Sequence, residues 1–218
     1  MKVIFLDIDG VIQPTWSQKR FKHLDDICNV ASELDKAVGG FPYYDYVTQE
    51  TFPDGIGRLY TRKCNLAAVY YDWSQSAIDC LRQVLEECNA KIVVSSDWRD
   101  HGVKVFKAFL AVHGLDVFFY DMIDGTSYEK PSEKQTQAHN YFQSVKPADC
   151  RYLDHRASDI REYLSRHQEI TSFVAIDDRD LAYPLCGHFV YCDKIFDSDK
   201  GRVAIDILKY EDGPYPLL

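Results

Sequence analysis

The stretch that most constrains this chain lies at its start, where Val3-Ile4-Phe5-Leu6 runs directly into Asp7-Ile8-Asp9-Gly10. Four consecutive apolar residues, rich in β-branched and aromatic types, suit a short strand buried on both faces. Two carboxylates then follow where that strand ends. Parallel sheets bind their ligands at the carboxyl ends of the strands. Like charges this close repel unless a cation or a shared proton compensates, and Gly10 lets the chain turn sharply away. The decapeptide therefore predicts a cation-dependent site at the tip of a central strand.

The rest of the chain is long enough to bury such a strand. Its 218 residues, 46% hydrophobic and 14% aromatic, suffice for one packed domain. A net charge of −9 argues against nonspecific nucleic-acid binding, which neutralises phosphates with Lys and Arg, while leaving room for a local basic patch. No apolar run approaches the roughly 20 residues of a membrane span. No signal peptide precedes the first strand, so a cytoplasmic location is expected, or delivery into a host cell for a bacterial effector. The cysteines, at 28, 64, 80, 88, 150, 186 and 192, form no Cys-x-x-Cys pair, so neither a zinc site nor a disulfide framework is expected.

Regular patterning resumes at Trp73. Ser74 is a plausible N-cap, and Ala77, Ile78, Leu81, Val84 and Leu85 give a helical core-facing stripe. Lys91 to Val94 reads as a second buried strand, ending in Ser95-Ser96-Asp97-Trp98-Arg99. A helix over Val103 to Val112, closed by Gly114, leads to a third strand at Val117 to Tyr120. Residues 124 to 149 are polar, with a helix expected near Gln135 to Val145. Ala157 to Arg166 is helical. Phe173 to Ile176 is a fourth strand ending in Asp177-Asp178, His188 to Tyr191 a fifth, and a last helix runs near Val203 to Lys209. Alternating strands and helices give an α/β fold with a parallel sheet. Residues 13 to 72 interrupt it as an irregular insertion. It carries a helix expected over Phe21 to Val38, ended by Gly39-Gly40, then the aromatic stretch Phe41-Pro42-Tyr43-Tyr44-Asp45-Tyr46 and a loop at Pro53-Asp54-Gly55.

Asp7-Ile8-Asp9-Gly10, an apolar strand ending in Ser, and a later apolar strand ending in Asp-Asp resemble the first, second and fourth motifs of the haloacid dehalogenase (HAD) superfamily of phosphohydrolases. Ser-Ser-Asp-Trp-Arg and the Arg156-x-x-x-Ile160 helix are similar to a subgroup that includes HAD domains of RNA-repair proteins and of some bacterial effector phosphatases. The resemblance covers residues 1–12 and about 73–210. It implies a Rossmannoid three-layer fold with a central parallel sheet and a small inserted cap at 13–72, within one domain. It also implies roles. Asp7 is the nucleophile that takes up the phosphoryl group. Mg²⁺, which prefers oxygen ligands, is held by Asp7, the carbonyl of Asp9, and Asp177 or Asp178. The Asp9 side chain protonates the leaving oxygen and then activates water. Ser95, with Ser96, holds phosphoryl oxygens. Arg156, which precedes Asp177 by 21 residues, stabilises the nucleophile and the phosphoryl charge; Arg161 and Lys130 are weaker candidates.

Other readings compete. Cys150 and Arg156 have the Cys-x5-Arg spacing of cysteine-based phosphatases, but the loop between them has no glycine and carries Asp154, which suits a phosphate cradle poorly. Trp98 and Arg99 read as structural, one packing and one pairing, and the histidines show no paired metal spacing. A small cap leaves the site reachable by phosphate displayed on a large molecule, since larger lids close over metabolites. A phosphoprotein substrate is expected, with phosphotyrosine favoured, because the aromatic insertion can flank an aryl ring. Nucleic-acid ends or nucleotides are the alternative substrates, and a basic groove beside Asp7 would favour them. A non-catalytic binding module is the third possibility; clustered carboxylates argue against it, because a retired site has no physical reason to keep them.

Overall fold

The computed structural model describes residues 1–52, 58–123 and 155–210. Lys130, Cys150, the helix expected near 135–145 and the loop expected at Pro53-Asp54-Gly55 lie outside the described residues. Five strands form one sheet: β1 (Lys2–Leu6), β2 (Ala90–Val94), β3 (Phe119–Met122), β4 (Ser172–Asp177) and β5 (Phe189–Tyr191). Their order is β3-β2-β1-β4-β5, every pair parallel, with β1 at the centre. Val3 to Leu6 are all fully buried. Val3 and Phe5 face one apolar cluster, with Val93, Phe173 and Ala175. Ile4 and Leu6 face the other, with Ile92, Val94, Val174 and Ile176. That is why the strand reads as an unbroken apolar run rather than an alternating one.

Helices cover both faces. On the Ile4 side lie α1 (Ile27–Ala37), α2 (Tyr43–Thr48), α3 (Leu59–Ala67), α4 (Gln75–Cys88), α5 (Val103–Val112) and α8 (Ser198–Lys209). On the Val3 side lie α6 (His155–Arg166), through Ala157, Ile160, Tyr163 and Leu164, and the short α7 (Ala182–Leu185). Ser74 caps α4, its side chain accepting from the Ala77 N–H.

Three elements differ from expectation. The last helix begins at Ser198 rather than near Val203, because the Asp197 side chain caps it by accepting from the Asp199 and Lys200 N–H groups. The helix expected from Phe21 opens instead as two 3₁₀ turns, Lys19–Lys22 and Leu24–Asp26, ahead of α1. Nothing in these turns is buried, so no core contact favours a continuous helix there. The third strand begins at Phe119, two residues late. Val117 is 65% exposed in a 3₁₀ turn, Asp116–Phe118, and β3 is an edge strand whose pairing with β2 shifts register between Ile92 and Val93.

The insertion is more regular than its sequence suggests. Ile27, Val30, Ala31, Tyr43, Tyr46, Val47 and Leu66 to Val69 enter the same apolar cluster as Ile4 and Leu6. Tyr43 donates its hydroxyl to the Ala108 carbonyl of α5 at 2.7 Å. Arg62, 1% exposed, donates to the carbonyls of Tyr46, Gln49 and Glu50, satisfying the end of α2. A π turn over Ala68–Asp72 returns the chain, and the Ser74 N–H closes onto the Ile12 carbonyl at 2.8 Å. Tyr43 and Tyr46 are therefore core residues, whereas Tyr44 is 46% exposed. Thermal or denaturant unfolding should separate them. Tyr46→Ala is expected to cost about 3–5 kcal/mol, and Tyr44→Ala less than about 0.5 kcal/mol; equal losses would mean the insertion does not share the core.

Candidate active site

Register brings the site together. Leu6 pairs with Val94 on one side and Ile176 on the other, so three strand tips end level. The ladder runs one step further, with the Asp7 N–H on the Ile176 carbonyl and the Ser95 N–H on the Leu6 carbonyl, both at 3.0 Å. Asp7, Ser95 and Asp177 thus emerge side by side. Immediately after β1 the chain turns tightly: the N–H groups of Val11, Ile12 and Gln13 all converge on the Ile8 carbonyl. Gly10 sits at φ +73°, and a Cβ there would meet the Asp178 side chain at 2.6 Å. The glycine is needed both for that backbone conformation and for the approach of Asp178.

Asp7, Asp177 and Asp178 offer carboxylate oxygens within 4.8 Å of one another. Arg156, from the first turn of α6 and 4% exposed, enters this group. Its Nη1 lies 3.0 Å from Asp7 Oδ2 and 2.8 Å from Asp177 Oδ2, and its Nη2 lies 3.2 Å from Asp97 Oδ1. Arg179 pairs with the other Asp97 oxygen at 2.9 Å, while its N–H donates to Asp177 Oδ1 at 2.8 Å. Both Asp177 oxygens thus already accept a hydrogen bond, while Asp178 lies half-buried against Gly10; each keeps lone pairs that could meet a metal.

The charges do not balance. Burial, opposed by Arg156 and reinforced by Asp177, pushes Asp7 up to about 7. Burial likewise raises Asp177 and Asp178, against the pull of Arg156. Asp97 behaves oppositely: burial works against its charge, but Arg156 and Arg179 outweigh it and hold the carboxyl below its usual range. Arg156 itself is kept charged by Asp7 and Asp177 despite the penalty of burial. A cluster of oxygen donors short of positive charge fits a hard divalent cation such as Mg²⁺.

Asp9 points elsewhere. Its Oδ2 accepts from the Trp98 indole N–H at 2.9 Å, and its Oδ1 from the Gln13 side chain at 2.5 Å. Its side chain is not in the three-carboxylate group, so of this residue only the carbonyl is a candidate metal ligand. Ser96 reaches Asp7 through its hydroxyl and also accepts from the Trp98 N–H at 3.4 Å, capping the 3₁₀ turn Asp97–His101. Ser95 is buried beside it at the tip of β2. Arg99 is buried and pairs with Asp159 at 3.6 Å. Arg161, the weaker alternative to Arg156, instead donates to the Pro184 carbonyl at 3.1 Å.

Residues 3–196 match the family model described as the HAD domain in Swiss Army Knife RNA repair proteins. The chain belongs to this family. No match is found among curated proteins. The family membership supports a HAD-type, phosphatase-like function on this α/β fold. Among the described residues of this HAD domain, no helix is long and apolar enough to cross a membrane.

Three contributors escaped the sequence reading. Trp98, expected only to pack, holds Asp9; Gln13 does so from the other side; Asp97 joins the two arginines. For Trp98 the signal was available, since an indole N–H just past a strand tip is a donor in need of an acceptor. Gln13 and Asp97 had none.

An acid whose folded pKa exceeds its unfolded value holds its proton more tightly when folded, so stability falls as pH passes from one value to the other. For Asp7 that window runs from 3.8 to about 7. Metal-free protein is expected to lose stability across it, and Mg²⁺ to raise the Tm more at pH 8 than at pH 5, with Asp7→Asn weakening both trends. Calorimetry showing equal Mg²⁺ effects at the two pH values would contradict this charge deficit.

Proposed function

We propose that this HAD domain is a Mg²⁺-dependent phosphomonoesterase working through an aspartyl phosphate, and that its substrate phosphate is carried on a nucleic-acid end. The observation that carries the chemistry is Arg156 Nη1 shared between Asp7 and Asp177, beside Asp178. It leaves a buried carboxylate at the strand tip, positioned and partly neutralised, as a nucleophile for phosphorus requires.

In this reading an oxygen of Asp7 attacks phosphorus while the ester oxygen leaves with a proton from Asp9. Asp9 then takes a proton from water, which attacks the acyl phosphate and frees inorganic phosphate and Asp7. Asp7, Asp178 and the Asp9 carbonyl would hold a divalent cation, which when bound would supply positive charge for the phosphoryl oxygens. Arg156 adds to that charge and keeps Asp7 oriented. Trp98 and Gln13 hold the Asp9 carboxylate between them. The indole can only donate, so Oδ2 stays an acceptor. The Gln13 amide has a buried Oε1 with no hydrogen-bond partner, and turning the amide over presents that oxygen to a protonated Oδ1. The pair thus accommodates both protonation states of a general acid–base.

For the substrate, the family's description as RNA-repair HAD domains favours nucleic-acid ends. The phosphotyrosine expectation rested on the effector resemblance and on the aromatic insertion flanking an aryl ring; of the cluster it named, Tyr43 and Tyr46 are fully buried and Tyr44 is 46% exposed. An assay of oligonucleotides with terminal phosphate, nucleotides, phosphotyrosine peptides and p-nitrophenyl phosphate, each with and without Mg²⁺, separates the classes. Asp7→Asn is expected to abolish turnover on all of them, and undiminished activity would sink the covalent mechanism. Asp9→Asn is expected to lower kcat by roughly 10²–10⁴-fold. Trp98→Phe should lower kcat more modestly and shift the pH profile, with KM little changed.

A further inference from the structure

We infer that residues 14–23, the loop leaving the active site, form a stacking platform for single-stranded nucleic acid next to the scissile phosphate. This rests on the nucleic-acid reading above and names the residues that would carry it. The loop starts at Gln13, which holds Asp9 at 2.5 Å. Its base is closed by the Ser74 N–H on the Ile12 carbonyl at 2.8 Å, and by Arg20, whose N–H and Nε meet Asp72 at 3.0 and 3.3 Å. Both ends are thereby tied to one short segment, Asp72 to Ser74. Between them stands Trp16, 62% exposed. It lies three positions along the chain from Gln13, so the two Cα atoms lie within about 11 Å.

Large exposed aromatics on a loop that leaves the site at Gln13 need a reason, and this loop has a second one in Phe21, 52% exposed beneath the Arg20 guanidinium at 5.3 Å. His23 continues the surface, stacked on Tyr71 at 4.4 Å, against which the half-exposed Tyr70 packs edge-on at 5.0 Å. The charge is equally local. Residues 13–24 contain Lys19, Arg20 and Lys22 and no acidic residue, in a chain of net charge −9. Asp72 neutralises Arg20, while Lys19 and Lys22 are exposed. Asp26, accepting from the Tyr71 hydroxyl at 3.4 Å, marks the acidic edge of this face. Aromatic faces interleaved with cations are how proteins hold single strands without reading sequence: bases stack and phosphates pair. A phosphoprotein or a sugar phosphate offers no such repeat of rings and charges.

Trp16 also supplies the probe, because Trp73 and Trp98 are buried. Titrating an unphosphorylated ten-nucleotide oligouridylate into the Asp7→Asn protein is expected to quench tryptophan fluorescence, and Trp16→Phe to remove the quench. Lys19→Ala with Lys22→Ala should reduce the slope of log affinity against log salt by roughly 1.4. In steady-state assays Trp16→Ala is expected to raise KM for the oligonucleotide carrying a 5′- or 3′-phosphate by about tenfold or more, with p-nitrophenyl phosphate hydrolysis unchanged within twofold. Absence of quenching, or equal losses on both substrates, would overturn the platform. Failure of the wild-type protein to hydrolyse either oligonucleotide phosphate while cleaving phosphotyrosine peptides would instead overturn the substrate reading, and the fluorescence titration would still decide the loop.

Discussion

One guanidinium nitrogen, Arg156 Nη1, holds two buried carboxylates that arrive on different strands. The site depends on this contact. It ties β1 to β4 at their tips and anchors the start of α6 against the sheet, while Nη2 of the same side chain reaches the turn after β2 through Asp97. Removing one member of such a buried group typically costs about 3–5 kcal/mol, because the remaining charges are left without solvent or partner. The same contact is incomplete compensation. Asp7 still sits near 7 and Asp178 is also raised, so the folded protein carries a standing demand for another cation. Structure and chemistry meet in that deficit: the charge the fold lacks at rest is the charge a phosphoryl group needs during transfer.

The parallel sheet makes the arrangement possible. From Val3 to Leu6, β1 contributes nothing to either surface; its alternate side chains fill two separate clusters, one under α6 and one under the helices of the insertion and α4. A strand with no solvent-facing side can carry its polar residues only past its end. Asp7-Ile8-Asp9-Gly10 is therefore legible as a site from sequence, since polar residues that follow an apolar run this abruptly have one place to go. The same logic exposed Ser95-Ser96 and Asp177-Asp178. Arg156 was reachable by its place at the start of a helix and its distance from Asp177.

What the sequence withheld was contact between elements of different period. Whether the Trp98 indole faces the core or Asp9 depends on the angle of a 3₁₀ turn capped by Ser96, which no pattern of apolar residues encodes. Gln13 acts only because the chain after Gly10 curls back on the Ile8 carbonyl. The insertion hid its order for another reason. α2 is a six-residue helix full of aromatics and β-branched or polar residues, poor in helix propensity, and it forms because Tyr43, Tyr46 and Val47 are buried and Arg62 satisfies its carbonyl end. Tertiary packing, not local preference, decides that segment.

That packing divides the insertion's aromatic residues into two populations with different work. Tyr43 and Tyr46 lose all solvent contact and extend the core toward Phe109, so their contribution is to stability and they are closed to any ligand. Trp16 and Phe21, only a few residues from Gln13 in sequence, keep more than half their surface in water. Exposing large rings forgoes burial worth about 25 cal/mol per Å² of apolar surface, and the loop is held closed at its base by Asp72 and Ser74 without using them. A fold that had only to enclose Asp7 would gain by turning those rings inward. Their exposure beside exposed lysine charge is better explained by a partner that supplies both flat faces and phosphates, which places substrate selection at the rim of the site rather than within the insertion's core.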